Sequence, residues 1–397
     1  MLNSEQRRAV EAVRGPVCIL AGAGSGKTTT ITHRVANQVE SRAFRAEEIL
    51  AVTFTDKAAG EMRARLDELG VTGVRCATFH AAALGQLRFF AAESPKRILA
   101  SKALPLRHIG NSLPRPYRFR PAADLATEVE WAKNRRIAPD DYVRSLGDHE
   151  PPIPRDLMLR VYREYERRKA EQGWVDFEDL IELTIRLFDA DEGALEQVRD
   201  RYRAFTVDEY QDVNLLQQTL LDRWLGERDE LCAVGDDYQS IYAFTGASPE
   251  YLLAMPQRFP QATVVRLEEN YRSTPEVLSF ANRLVTKLGG AEKVLRATRP
   301  EGSEPVTRSF PGPALEAAFV VERVRELHAN GTPYEEMAIL FRTNARSADY
   351  EDALHEADIP SQGAALLSRD AAKQLLKALR GRPLSDVRRI ARDQGLL

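Results

Sequence analysis

Short apolar runs alternate with longer amphipathic stretches along most of the chain. Residues 17–20, 49–54, 205–207, 231–234 and 263–267 are rich in Val, Ile, Leu and Phe with almost no polar alternation. Runs of this kind suit strands buried on both faces. The stretches between them carry helical periodicity, so the alternation predicts a parallel α/β sheet with helices on both faces. Between about 87 and 199 the pattern changes. Prolines cluster at Pro114, Pro116 and Pro121 and again at Pro151, Pro152 and Pro154, and stretches such as 157–172 are helical in period. This segment is predicted to be a mostly helical insertion in the first α/β domain. A second α/β pattern starts after about residue 279, with 338–341 as its clearest strand. No internal repeat or low-complexity segment stands out.

Composition changes this picture little. A chain of 397 residues, 43% apolar and 29% charged, has room for two or three domains with real cores. The net charge of −3 argues against a simple basic DNA-coating protein. Its distribution says more. From Arg88 to Lys169 there are 18 Lys and Arg against 11 Asp and Glu, a local +7 that leaves about −10 elsewhere. A basic segment in an acidic protein fits nucleic acid on one face, and equally a solvated helical surface. Cys18, Cys76 and Cys232 form no C-x-x-C pair, and Cys18 and Cys232 lie in apolar runs. All three are expected to be buried small hydrophobes in a reducing compartment. The N-terminus is polar at once and no 18-residue apolar stretch follows, which predicts a cytoplasmic protein with no membrane partner.

Two motifs carry chemistry. Ala21-Gly-Ala-Gly-Ser-Gly-Lys-Thr28 follows a predicted strand and opens a predicted helix, the context a phosphate loop requires. Its glycines let backbone N–H groups approach phosphate, and the helix N-terminus adds a favourable dipole. Lys27 would hold the β- and γ-phosphates and the Thr28 hydroxyl would ligate Mg²⁺. The first position of the pattern, usually Gly, is Ala21. The second motif is Phe205-Thr-Val-Asp-Glu-Tyr-Gln-Asp212, an apolar strand ending in two adjacent carboxylates. Asp208 could hold Mg²⁺ and Glu209 could polarise an attacking water. The alternative is a surface Asp-Glu turn.

Together these motifs resemble the superfamily 1 helicases of the UvrD, Rep and PcrA group, and further matches follow in the family's order. Leu2-Asn3 with Gln6 resembles the adenine-reading Q motif. Thr53-Phe-Thr-Asp-Lys-Ala-Ala-Gly-Glu-Met62 resembles motif Ia, and Thr78-Phe79-His80 motif Ib. Val234-Gly-Asp-Asp-Tyr-Gln-Ser-Ile-Tyr242 through Gly246 resembles motif III, Leu267-Glu-Glu-Asn-Tyr-Arg-Ser-Thr274 motif IV, and Arg342-Thr-Asn344 the DNA-contacting motif IVa. The spellings Gly-Pro-Val-Cys-Ile-Leu and Phe-Thr-Gly-Ala are similar to an actinobacterial UvrD-like branch.

The resemblance implies a RecA-like P-loop helicase domain with an inserted helical domain, followed by an incomplete second RecA-like domain. It implies domain 1A at 1–86 and 200–278, helical DNA-binding domain 1B at 87–199, a partial 2A at 279–382 and a stub of 2B at 383–397. ATP and Mg²⁺ are the implied cofactors. Single-stranded DNA and 3′-tailed duplex are the implied partners, with repair proteins as further candidates. The implied activity is 3′–5′ translocation and unwinding in repair, driven by ATP hydrolysis in the nucleoid.

Residue roles follow the same way. Gln6 would read the adenine edge, although Asn3 capping a helix explains the same pattern. Residues 21–29, namely Ala21, Gly22, Ala23, Gly24, Ser25, Gly26, Lys27, Thr28 and Thr29, would cradle the nucleotide. Gln239 would sense the γ-phosphate, where the alternative is an ordinary turn amide. Tyr271 would stack on adenine and Arg272 would act as an arginine finger. Phe54, Tyr242 and Phe244 would stack on bases, a sequence-tolerant grip that suits a translocase. Thr55, Lys57, Thr78, His80, Arg342 and Asn344 would contact DNA. Phe54 equally ends a core strand, and His80 beside Phe79 equally packs or caps. Asp176-Phe-Glu-Asp179 also resembles a family segment, and a helix N-cap explains it as well.

Departures from the family lie at Asp56, usually Asn; at Thr29, often Arg; and at Phe244-Thr245, commonly Trp-Arg. Each is expected to weaken a contact. After Gly363, Leu366-Leu367-Ser-Arg369-Asp-Ala-Ala-Lys373 resembles a weakened form of a longer family motif. Motifs V and VI, with the second catalytic arginine, are absent before Leu397. A lost arginine finger costs on the order of 10³–10⁵ in rate, so a chain ending there is expected to be a poor helicase. An ATP- and DNA-binding remnant with little catalysis is the competing expectation. A motor subunit of a recombination nuclease ranks last, because no nuclease carboxylate cluster is visible.

Overall fold

The computed structural model describes residues 2–362 apart from 93, 94, 96, 286, 288, 289, 292, 344 and 345. Asn344 and the segment from Gly363 onward, including residues 366–373 and the region assigned to a 2B stub, lie outside the described residues. The chain divides into two compact units, one from Met1 to Pro305 and one beginning at Val306.

The first unit is built on six parallel strands: β1 (Val17–Ala21), β2 (Ile49–Thr53), β3 (Arg75–Thr78), β4 (Ala204–Val207), β5 (Leu231–Gly235) and β6 (Thr263–Leu267). Their order is β3-β2-β4-β5-β1-β6. Five occupy the predicted apolar runs. The sixth, β3, escaped prediction because Arg75 breaks the apolar run and the strand lies at the sheet edge, where one polar face is tolerated.

Alternation along each strand divides the core in two. Val17, Ile19 and Ala21 face α1 (Ser4–Glu11), α2 (Lys27–Glu40) and α3 (Asp56–Glu68), packing with Ile31, Val35, Met62 and Leu66. Cys18 and Leu20 face the opposite side, with Phe79, Ile181, Leu220 and Trp224. That side is covered by α4 (Phe79–Phe90), by two helices at the end of the 87–199 segment, which pack on the sheet and not in the insertion's own core, and by one helix that follows it. All three cysteines are free and buried. Burial pushes the Cys18 thiol up to about 12 and that of Cys76 to about 11.

The helical insertion has its own core. Helices α5 (Ala103–Gly110), α6 (Ala122–Asn134) and α7 (Arg155–Gln172) enclose Leu106, Val129, Tyr142, Met158 and Tyr165. Helix α8 (Phe177–Ala190), α9 (Glu192–Arg201) and α10 (Leu215–Leu225) complete the sheet's second face. A buried ionic cluster joins α6, α7 and α8. Lys133 Nζ lies 2.7 Å and Lys169 Nζ 2.9 Å from the Asp176 carboxylate, and the Tyr165 hydroxyl donates to it at 2.9 Å. Asp176 also caps α8 reciprocally with Asp179, so the capping explanation of that segment describes its local role.

Two one-turn helices, α11 (Glu250–Leu253) and α12 (Met255–Arg258), lead into β6. A two-stranded parallel pair, β7 (Glu269–Asn270) and β8 (Arg296–Ala297), brackets α13 (Pro275–Val285). In the second unit α14 (Pro313–Ala329) and α15 (Ser347–Glu356) pack around Val324, Leu354 and Ile359. The strand expected at 338–341 is not formed among the described residues, and Leu340 is 92% exposed. An apolar run becomes a strand only when a neighbour takes up its backbone N–H and C=O groups. The described residues of this unit contain no strand to do so.

Candidate nucleotide and nucleic-acid site

The loop between β1 and α2 is shaped by glycine. Gly24 and Gly26 adopt φ of +67° and +80°, a region costly for other residues. A Cβ on Gly24 would meet Arg272 Cβ at 2.6 Å, and one on Gly26 would meet Gln6 Nε2 at 2.7 Å. The loop is held from outside by two motifs. Gln6 Nε2 donates to Ser25 O at 3.0 Å. Asn270 Nδ2 donates to Ala23 O at 2.5 Å, and Tyr271 N to Gly24 O at 2.9 Å. Asn270 Oδ1 in turn accepts from Arg272 N and Ser273 N, at 2.9 and 2.6 Å. Motif IV therefore docks on the phosphate loop within the first unit.

These elements line a cavity of about 690 Å³. Ala23 through Thr29 form its floor, with Gln6, Glu209, Gln239, Tyr271 and Arg272 around it. Ala21 ends β1 fully buried, and Gly22 sits behind the Leu295 side chain, so neither lines it. Asn3 both caps α1 reciprocally with Gln6 and reaches the Tyr271 hydroxyl at 3.0 Å. The capping explanation of the Leu-Asn-x-x-Gln pattern thus coexists with a place for Gln6 at the cavity wall.

The carboxylates at the tip of β4 differ in character. Lys27 Nζ donates to Glu209 Oε2 at 2.7 Å. Burial pushes the Glu209 carboxyl up, but the Lys27 charge and hydrogen bonds from Lys27 and Gln211 outweigh it, leaving the carboxyl below its ordinary value. Glu209 also adopts φ of +51°, a strained conformation that clusters at functional sites. Asp208, 9% exposed, is pushed up to about 6 by burial and then by the Glu209 charge.

The aromatic candidates gather in one row. Phe54 lies 5.1 Å from Tyr242, and Tyr242 6.1 Å from Phe244, between ring centroids. Phe54 is 42% exposed, so it extends beyond the strand whose end it marks. Thr55 caps α3, and Lys57 projects from the same helix start. Thr78 caps α4 and is largely buried. His80 packs edge-on against Phe177 at 5.8 Å. Burial, then the Lys102 charge, lowers its pKa to about 4. His80 is therefore a neutral ring packed on Phe177. Arg342 is exposed in the second unit.

Sequence reasoning missed several residues here. His33 and Arg65 line the cavity from α2 and α3, and no motif marks them. Gln211 lies inside a quoted motif but was given no role. It bonds Glu209 through Nε2 and accepts from Asp236 N, both at 2.9 Å.

Comparison with known proteins gives this geometry a family. Residues 2–260 match the model of the UvrD/REP helicase N-terminal domain, and residues 265–381 that of the UvrD-like helicase C-terminal domain. The chain is 45% identical, over 95% of its length, to ATP-dependent DNA helicase UvrD2 of Mycobacterium bovis and to the protein of the same name in Mycobacterium tuberculosis. It is 33% identical, over 96% of its length, to ATP-dependent DNA helicase PcrA of Staphylococcus epidermidis. The chain spans 57% of the mycobacterial relatives and 53% of the staphylococcal one. A phosphate loop, an adjacent acidic strand tip and a docked Asn-Tyr-Arg segment, with two family models spanning most of the sequence, place this chain in the UvrD/REP helicase family.

Proposed function

We propose that the first unit binds ATP and single-stranded DNA and couples hydrolysis to movement along the strand, as the motor of a 3′–5′ helicase acting in DNA repair in the cytoplasm. The observation that carries this reading is the cavity in which the phosphate loop, Glu209, Gln239, Tyr271 and Arg272 converge. In this reading residues 1–86 and 200–278 are the ATP-binding core and 87–199 the helical insertion. The names of the mycobacterial and staphylococcal relatives support it.

Each side chain then has a task. Lys27 and Arg272 neutralise phosphate charge, Glu209 orients and deprotonates the attacking water, and Gln239 reports the γ-phosphate. Gln6 and Tyr271, linked through Asn3, flank the place for the adenine. Thr28 and Asp208 would hold Mg²⁺. The donor set fits, because hydroxyl and carboxylate oxygens suit a hard cation, and at Asp208 burial and the Glu209 charge outweigh the Lys27 charge, so a further cation would favour the ionised carboxylate. Bound there, the ion would neutralise charge developing on the phosphates. Phe54, Tyr242 and Phe244 offer a stacking platform for bases. Thr55, Lys57, Thr78, His80 and, on the second unit, Arg342 and Asn344 are the proposed backbone contacts.

ATP hydrolysis with and without oligo-dT tests this reading. Hydrolysis stimulated by the oligonucleotide is the expected result. Failure to bind nucleotide, or hydrolysis indifferent to DNA, overturns it. A strand-displacement assay on 3′-tailed and 5′-tailed duplexes tests the direction.

A further inference from the structure

Lys293 is a cation that no motif marks. Its side chain is 1% exposed, and its Nζ lies 2.5 Å from both Asp236 Oδ1 and Asp237 Oδ1. The ammonium also sits 4.6 Å from the centroid of the Tyr238 ring. A buried ammonium persists only when charge and hydrogen bonds compensate it, and here two carboxylates and a ring face do so. The surrounding segment is fastened to the same turn. Ala291 N donates to Asp237 Oδ2 at 2.8 Å, and the Tyr238 hydroxyl donates to Ala291 O at 2.9 Å.

The carboxylate that Lys293 grips also faces the nucleotide machinery. Asp236 gives one oxygen to Lys293 and the other, Oδ2, to Gln239 Nε2 at 2.6 Å. Its backbone N–H donates to Gln211, whose amide reaches Glu209 and hence Lys27. Asp236 is thus a bracket between a buried cation and the carboxamide that lines the cavity. Removing the cation would leave two adjacent carboxylates repelling each other, with Asp236 held by a long hydrogen bond from Tyr238 N at 3.3 Å and by the Gln239 carboxamide itself.

We infer that Lys293 is a positioning residue for γ-phosphate recognition: through Asp236 it fixes the carboxamide of Gln239 and so governs discrimination between nucleoside triphosphate and diphosphate. This rests on the sensing role proposed above for Gln239. A purely architectural Lys293 would support the turn without favouring one nucleotide over the other.

The test is a double-mutant cycle on nucleotide preference. Affinities for ADP and for a non-hydrolysable ATP analogue are measured by displacement of a fluorescent nucleotide from the full chain. The variants are Lys293→Met, Gln239→Ala, the two combined, and Lys293→Arg. Lys293→Met and Gln239→Ala should each lower the triphosphate preference about tenfold, the order expected for a hydrogen bond to a charged group. ADP affinity should hold within a few-fold, the combined variant should lose no more than Gln239→Ala alone, and Lys293→Arg should restore most of the preference. Additive losses, equal loss of ADP and triphosphate, or an unchanged preference in Lys293→Met overturns the inference. Should Lys293→Met not fold, Lys293→Met/Asp237→Asn removes one of the two buried negative charges. It carries the same measurement against Asp237→Asn, and a preserved preference there overturns the inference. A parent chain that binds no nucleotide defeats the proposed function instead. One that binds without any triphosphate preference defeats this inference and the sensing role of Gln239, and leaves nucleotide binding and hydrolysis at the site standing.

Discussion

Lys27 and Glu209 form an ion pair of 2.7 Å between the start of α2 and the tip of β4. One is the proposed phosphate-binding cation and the other the proposed base, and the Lys27 charge helps hold the Glu209 carboxyl below its ordinary value. Glu209→Gln preserves shape and a hydrogen-bond acceptor for Lys27 while removing the base. It should bind nucleotide at least as well as the parent and hydrolyse it about 10²–10⁴-fold more slowly. Lys27→Ala should lose both binding and hydrolysis. Fluorescent-nucleotide titration beside phosphate release separates these outcomes, and a Glu209→Gln protein that cannot bind nucleotide would sink the assignment of Glu209.

Asp208 should make stability depend on pH in a direction opposite to most carboxylates. Its carboxyl is held at about 6 against an ordinary 3.8. Between those values the folded state keeps a proton that the unfolded chain releases, so this group's contribution is full below pH 4 and lost as pH rises through about 6. Asp208→Asn should therefore stabilise the fold above pH 6, by on the order of 2–3 kcal/mol, with no gain below pH 4. Thermal melts of parent and variant across pH 4–8 show this as a widening gap in Tm. The Mg²⁺-dependent part of nucleotide affinity should weaken as pH falls below about 6.

Phe54 and Tyr242 should matter to DNA rather than to the fold. Each alanine variant should weaken oligo-dT binding by about 1–3 kcal/mol, the usual worth of a base–aromatic stack. Melting should change little for Phe54→Ala, because that ring is already half exposed. Fluorescence anisotropy at several salt concentrations is the measurement. Parent affinity should fall linearly on a log–log salt plot as phosphate contacts release counterions. An unchanged affinity with a lowered Tm would mark the rings as core residues.

Asp176 should be a stability residue of the helical insertion. It is fully buried between Lys133 and Lys169, whose charges together with a Lys133 hydrogen bond outweigh burial and hold its carboxyl far below the usual range. Asp176→Ala leaves two buried ammonium groups with only Asp179 and Glu166 as shared carboxylate partners, and should cost toward the lower end of about 3–5 kcal/mol. Urea denaturation at pH 7 should show this loss, and the parent–variant gap should narrow as the pH is taken well below 4.

Much of the first unit was legible because its strands are buried on both faces. Residues 17–20 and 231–234 announce themselves as uninterrupted apolar runs. The strand at Arg75–Thr78 does not, since an edge position admits a charged residue. The run at 338–341 has the composition of a strand without a paired neighbour among the described residues, and composition cannot supply a partner.

Local chemistry alone determined the phosphate loop and the acidic strand tip, while resemblance to a family supplied the order of the further motifs. Glycines at positive φ, a lysine at a helix N-terminus and carboxylates at a strand end act through their immediate neighbours in the chain, so spacing suffices to find them. Only the tertiary structure decided what lies between motifs. Parallel order brings Glu209 onto Lys27 from 182 residues away. Asn270 reaches Ala23 across 247 residues, and Lys293 is buried against Asp236 across 57. Such contacts are fixed by strand order and packing, which leave no periodic trace in the sequence. Hence Arg65 and Lys293 carried no signal until the fold placed them, and Gln211, though inside the acidic motif, gained its partners only from the fold.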